Sequence, residues 1–390
     1  MKIIFLIAII YGIVSLQAYL FKKYSFQNLN YSCKFDKHEV FEGENFSLME
    51  IVKNNKAMPL PWLRSDLTAS KWLEFGDASA QSVSDESRIV SSFFTLGGYK
   101  SITRTWNVNC TKRGEFEIQK AHLVSSDLFG QARISKGVKL SFTVLVLPGT
   151  IDLGEMFLLP RYLQGDTVTK RQIAEDPFYV AGVREYTDRD PMNSIHWLAT
   201  AKEQKLMVRK NEYTSQQSLT ILLNIKSQEV EYGKIVNPDL VEGSIRVCAS
   251  LITEATGEGL PVNLYSNAPI DDVSTEITST NLAAGNEHAM DLMRILAKLR
   301  IKAVCSFNDF LGQIDSAASG TDLAIVTPYL DSAICGYARE KIHENVHVQI
   351  YVTNFLEQEE IPEDLEIYIT KREYSQQPQF AKAQKGSDAT

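Results

Sequence analysis

Two spacings of apolar residues divide this chain. Between residues 31 and 148, apolar and polar positions alternate with period two. In "SITRTWNVNC" (101–110), Ile102, Trp106, Val108 and Cys110 share the pattern with Ser, Thr and Asn, and Arg104 breaks the apolar side. "VKLSFTVLVLP" puts Val138, Leu140, Phe142, Val144 and Val146 on one face. Successive side chains of a strand point to opposite faces, so these stretches predict half-buried strands. "EGEN" at 42–45, "KNN" at 53–55, "LGG" at 96–98, "KRGE" at 112–115 and "FG" at 129–130 supply turns between them. Pro59 and Pro61 mark an edge or loop. The polar stretch 76–90, "GDASAQSVSDESRIV", predicts a loop. Strands at short spacing without a long helical pattern predict an antiparallel β-sandwich over 31–148.

From Leu219 the pattern becomes strand–helix alternation. "LTILLNI" (219–225) is a continuous apolar run, as a parallel strand covered on both faces requires. Residues 237–260 predict a helix that Asn237 or Asp239 caps and that Gly257 and Gly259 end. "PVNLYSNA" predicts a strand, and Met290, Met293, Leu296 and Leu299 share helical spacing. "KAVCS" predicts a minor strand and "FNDFLGQIDSAA" a helix. "TDLAIVTPYL", "VHVQIYVTN" and "LEIYIT" predict strands, with the helix "DSAICGYAREKIHEN" between the first two. The fold class expected is α+β multidomain, with an α/β three-layer domain over 214–372 after the sandwich. Residues 149–213 form a connector, and the Gln-rich tail 375–390 is expected to be disordered.

The N-terminus adds a third element. Residues 3–21, "IIFLIAIIYGIVSLQAYLF", carry no charge and would span roughly 28 Å as a helix, about the hydrocarbon thickness of a bilayer. Lys22, Lys23 and Tyr24 follow as interface anchors. A cleaved signal peptide fits less well, since the n-region has only Lys2 and no small-x-small site is formed around Leu16 and Ala18. Residues 1–23 therefore predict a transmembrane anchor in a single-pass cell-membrane protein. Lys22, Lys23, Lys34 and Lys37 against Lys2 alone place the soluble domains in the cytoplasm. The net charge of -8 and the lack of a basic run argue against a nucleic-acid partner. Cys33, Cys110, Cys248, Cys305 and Cys335 form no CxxC pair, which fits free thiols in a reducing compartment.

The densest polar chemistry lies in the connector, "FYVAGVREYTDRDPMNSIHWLATAKEQKLMVRKNEY" (178–213). Asp190 before Pro191 reads as the cap of a short helix carrying Ile195, Leu198 and Ala199. Arg184, Glu185, Asp188 and Arg189 read as ion-pairing groups that fix a register, so the stretch is expected to lock the two folded units together. A hydrolase would use His196 as general base with Asp188 or Asp190. No GxSxG elbow supplies a nucleophile, and His196 has no HxH or HExxH partner. The expectation is no catalytic residue, no metal and no cofactor.

This stretch resembles the signature of the bacterial "domain of unknown function 58" family. Arg184, Tyr186, Asp190, Ile195, His196, Trp197, Thr200, Ala201 and Lys202 match it, and Leu206, Val208 and Glu212 match its continuation. Arg189 and Asn193 depart from the usual Gly and Arg. Upstream, "KRGEFEIQKAHLVSSDLFG" is similar to a second family segment, with Leu128 in place of Pro, and "VLPGTIDL" to a third. The resemblance implies a membrane-anchored β-sandwich followed by a domain similar to von Willebrand factor type A, and a MoxR-type AAA ATPase as protein partner. It implies no enzymatic activity. Such a domain can hold Mg²⁺ through D-x-S-x-S after its first strand. Here Asn224, Lys226 and Gln228 occupy those positions, so no metal is expected. The alternatives are the hydrolase and an extracellular adhesion-type binding protein.

Overall fold

The structure, a computed structural model, describes residues 2–76, 81–84, 87–158, 175–186, 195–213, 218–229, 231, 235–315, 321–354 and 361–371; residues 2, 175–184 and 209–213 are described by backbone alone. The predicted tail 375–390 lies outside them. Helix α1 (Lys2–Tyr24) opens the chain. Ten strands follow: β1 (Leu29–Phe35), β2 (Glu39–Phe41), β3 (Asn45–Asn54), β4 (Leu60–Ser70), β5 (Leu73–Phe75), β6 (Gln81–Val83), β7 (Ser87–Leu96), β8 (Ser101–Cys110), β9 (Gly114–Ser126) and β10 (Arg133–Leu147).

They form two sheets, ordered β1-β3-β8-β5 and β2-β10-β9-β4-β7-β6. All neighbours are antiparallel except β2 beside β10. Phe46, Leu48 and Val108 from one sheet pack with Leu67, Ile118 and Val144 from the other, so the pair is a sandwich. A buried carboxylate pins the two sheets: Glu50 accepts from Tyr31 Oη at 2.7 Å, Ser92 Oγ at 2.5 Å and Trp106 Nε1 at 3.2 Å. Leaving any of these buried donors unmatched would cost free energy, so the contacts hold one register. The polar stretch 76–90 is not only loop: β6 and the start of β7 lie in it. All three β6 residues are exposed at a sheet edge, where backbone pairing needs no apolar face.

After α2 (Leu153–Met156) and β11 (Phe157–Leu158), the chain forms β12 (Glu175–Glu185), α3 (Trp197–Glu203) and β13 (Met207–Tyr213). The rest alternates: β14 (Leu219–Leu223), α4 (Pro238–Gly257), β15 (Val262–Ser266), β16 (Thr278–Ser279), α5 (Asn286–Lys298), α6 (Phe307–Ile314), β17 (Asp322–Thr327), α7 (Ser332–His343), β18 (Val348–Val352) and β19 (Glu366–Thr370). Their sheet runs β11-β19-β18-β17-β14-β15-β16, parallel in its interior and antiparallel at both edges. Ile221 and Leu223 of β14 pack with α4 and α5, whereas Leu222 packs with α6 and α7. Covering on both faces explains the unbroken apolar run of β14. Asn237, not Asp239, caps α4 by accepting from Leu240 N. Two expectations need correction. "KAVCS" forms no strand; Val304 N makes one bond, to Asn267 O. Phe157–Leu158, inside the stretch assigned to the connector, pairs with β19 as an edge strand.

Candidate functional site

The connector's described backbone forms a two-stranded sheet of its own, β12 against β13. Arg184 stands opposite Val208, and Tyr186 N donates to Leu206 O at 2.8 Å. Ile195 bridges Val208, both buried, and His196 N donates to Met207 O at 2.8 Å. With Ile195 and His196 committed to extended pairing, helix α3 starts only at Trp197. Its cap is His196, whose Nδ1 accepts from Ala199 N at 3.1 Å. This corrects the expectation that Ile195 lies on the helix. Asp190, the predicted cap, lies outside the described residues, as do Asp188, Arg189 and Asn193. Thr200 Oγ1 accepts from Met207 N at 3.0 Å and ties the helix to β13. Trp197 and Leu198 stand 69% and 81% exposed. Glu212 lies in β13 and is described by backbone alone.

A second site lies where the strand order reverses, between β14 and β17; ligands of doubly wound sheets bind beyond the carboxyl ends there. Asn224, fully buried, fills this position. Its Oδ1 accepts from Lys226 N at 3.0 Å and Asn267 Nδ2 at 3.2 Å, and its Nδ2 donates to Thr327 Oγ1 at 3.1 Å. The neighbouring loop is organised by Glu231, which accepts from Ser227 N, Ser227 Oγ and Val236 N. These residues do not fit a hard divalent cation. The side chain in the aspartate position is neutral, both of its ends are hydrogen-bonded within the protein, and Lys226 adds positive charge beside it.

Among the described residues, the contact that joins sandwich to α/β sheet runs through charged side chains outside the connector. Glu42, in the turn before β3, takes a two-pronged bond from Arg246 of α4, Nε at 2.8 Å and Nη2 at 2.9 Å. Gly149 N and Arg113 N also donate to it, at 3.1 and 3.2 Å. Burial pushes the Glu42 carboxyl up, but Arg246, the Gly149 amide and the nearby Arg113 charge outweigh it and hold it below the usual carboxylate range. Arg113, buried in the β8–β9 turn, donates Nε to Glu242 at 2.6 Å. Its Nη1 reaches the carbonyls of Leu296, Ala297 and Leu299 at 2.7, 3.2 and 3.1 Å. These are orphan acceptors at the α5 C-terminus, where the helix dipole favours a cation. Arg294 reaches Glu39 at 2.8 Å. A cleft of about 340 Å³, lined by Lys112, Arg113, Glu242 and Arg300 among others, opens beside this joint. Apolar continuity completes it: Leu147, the last residue of β10, is buried in the α/β core.

In sequence, "EGEN" and "KRGE" read as turns. The turns are real, with Gly43 at φ +80 and Gly114 at φ +137. The available signal was an acid and an Arg set inside tight turns at one end of the sandwich, and Arg113 falls in the second segment that carries the family resemblance.

No family model matches the chain, and no curated protein matches it. Among solved structures it is similar to the CARDB domain of a Pyrococcus furiosus protein, at 14% identity over 30% of this chain and 91% of that one, with a TM-score of 0.20. A non-cellulosomal cohesin from Archaeoglobus fulgidus matches at 14% identity over 30% and 91%, with a TM-score of 0.22. Spo0M, a sporulation control protein from Bacillus subtilis, matches at 13% over 34% and 58%, with a TM-score of 0.19. At such TM-scores these likenesses carry no argument about what this chain does.

Proposed function

We propose that this chain is a membrane-anchored, non-enzymatic binding or scaffold protein of the "domain of unknown function 58" type, and that a MoxR-type AAA ATPase is its partner. The observation that carries the reading is the end-to-end arrangement. Helix α1 is long and apolar enough to cross a membrane. Its last turns enter one end of the sandwich through buried Phe21, and the α/β sheet is clamped to the other end by Glu42 and Arg113. The thirteen residues of β9 span that distance, roughly 40 Å at about 3.3 Å per residue. The α/β sheet is the scaffold a domain of the von Willebrand factor type A kind needs, held away from the bilayer on a rigid stem. Its Asn224, Lys226 and Gln228 favour a metal-independent mode of binding.

Exposed Trp197 and Leu198 are the contact we assign to the partner, because large apolar side chains on a short surface helix are what an interface core uses. His196 favours the structural role over the hydrolase alternative: its Nδ1 lone pair is already used as the α3 cap. A MoxR-type ATPase should co-purify with the intact chain from detergent-solubilised membranes and be lost with Trp197→Ala plus Leu198→Ala. Equal recovery with both removes the docking role of α3; recovery with neither removes the ATPase.

Lys22 and Lys23 support a cytoplasmic body over the extracellular adhesion-type alternative. An impermeant thiol reagent on whole cells separates the two through Val273→Cys, whose position is highly exposed. Native thiols make poor reporters, since burial pushes Cys33 and Cys110 up to about 12.

A further inference from the structure

The end of the sandwich that receives α1 is set by strand register. Leu29 of β1 pairs with Asn54 of β3, Leu60 of β4 with Leu96 of β7, and Arg133 of β10 with Ser126 of β9. The turns 55–59, 97–100 and 127–132 therefore gather beside the exit of α1. The first two are bonded to each other and to the exit of α1: Asn55 N donates to Asn28 O at 2.9 Å, and Tyr99 N to Lys56 O at 3.0 Å. Asn54 Nδ2 reaches Met58 O and Gly97 O. A Cβ on Gly98 would lie 2.3 Å from Ala57 O, so the two turns touch backbone to backbone. The 127–132 turn is equally braced. Ala132 N donates to Asp127 Oδ1 at 2.9 Å, Asp127 N to Ala132 O at 3.0 Å, and Gly130 adopts φ +73. Ala132 packs in the same buried cluster as Phe21.

These fixed turns present Tyr99, Leu128 and Phe129 to the outside, at 75%, 71% and 62% exposure. Apolar side chains held outward together on braced turns mark a contact surface. The charge around them is one-sided. Segments 22–30, 53–60, 96–101 and 126–133 hold Lys22, Lys23, Lys53, Lys56, Lys100 and Arg133 against the single acid Asp127, in a chain of net charge -8. Aromatic and apolar tips ringed by lysines match a headgroup–acyl boundary with anionic lipid.

We infer that this end of the sandwich sits directly on the bilayer, with Leu128, Phe129 and Tyr99 entering the lipid interface beside α1 and the surrounding cations contacting anionic headgroups. The inference rests on α1 being an anchor. It adds a second contact that fixes the tilt of the whole body instead of leaving it to swing on a tether.

The test uses the full chain in vesicles of phosphatidylcholine with and without phosphatidylserine, with Cys33→Ser and Cys305→Ser as background. An environment-sensitive fluorophore is placed by Phe129→Cys, Ile9→Cys or Val273→Cys, and nitroxide-labelled lipid is the quencher. Positions 9 and 129 should lose most of their fluorescence and 273 should keep it, with the loss at 129 larger when phosphatidylserine is present. Quenching at 9 without quenching at 129 overturns the lipid seat and leaves the anchor standing. An unquenched position 9 overturns both. Quenching at 129 that ignores phosphatidylserine overturns the role given to the cations.

Discussion

The two ends of the sandwich are closed in opposite ways. At the near end the plug is apolar: Phe21 of α1 is buried with Val52, Leu60, Leu63, Phe94, Leu96 and Leu123. At the far end charge dominates: Glu42 with Arg246, Arg113 with Glu242, and Arg294 with Glu39. An apolar plug is non-directional and, carrying no charge, is untouched by titration and by ionic screening. A network of buried ion pairs adds little net stability but permits one geometry, because every misaligned charge stays desolvated and unpaired. The near end thus fastens the body to the helix, and the far end fixes how the α/β sheet is presented.

That contrast can be broken at either side. Phe21→Ala should cost about 3–5 kcal/mol of sandwich stability through the lost burial and the cavity, read by denaturant unfolding in detergent. The effect should stay in the sandwich. Arg113→Ala leaves Glu242 with Lys112 alone, at 3.3 Å, and strands the α5 carbonyls; breaking one side of a buried pair costs about 3–5 kcal/mol. Here the loss should fall on the joint, as faster hydrogen exchange in α4 and α5. Arg113→Met with Glu242→Leu should recover the part that comes from the buried carboxylate, since a packed apolar pair replaces the charges, but not the part from the α5 carbonyls, which stay without their donor. Acid should then act on one end only. Glu42 is held below its ordinary value of 4.5, so its contribution is complete above that pH and is lost as pH falls below it. Exchange protection of α4 should drop in that window while that of β4 near Phe21 persists. Arg294→Ala should do least, and molar salt should mimic it, because that pair is more exposed than the Glu42–Arg246 and Arg113–Glu242 pairs and so better screened.

Much of this architecture was legible in the sequence, for a physical reason. Strands such as β8 and β10 declare themselves by alternation, and β14 by an unbroken apolar run, because burial on one or both faces acts on every residue in turn. The edge strand β6 carries no such mark: its pairing is backbone alone. The joint was invisible for a related reason. Glu42 and Arg246 are far apart in sequence and each is an ordinary charged residue until the fold brings them within 2.8 Å. In 178–213 only the helix start is corrected. The described backbone of the stretch pairs β12 with β13, and His196 caps a helix that starts at Trp197, later than the Asp-Pro pair predicts; the Arg184, Asp188, Arg189 and Asp190 side chains read as the lock lie outside what is described.

The central claim is that the charged joint makes sandwich and α/β sheet one body. Spin labels at exposed positions, introduced by Val83→Cys and Val273→Cys, would measure it by pulsed dipolar spectroscopy on the detergent-solubilised chain. One narrow distance distribution that broadens with Arg113→Ala is the predicted result. A broad distribution already present in the unaltered joint would contradict it.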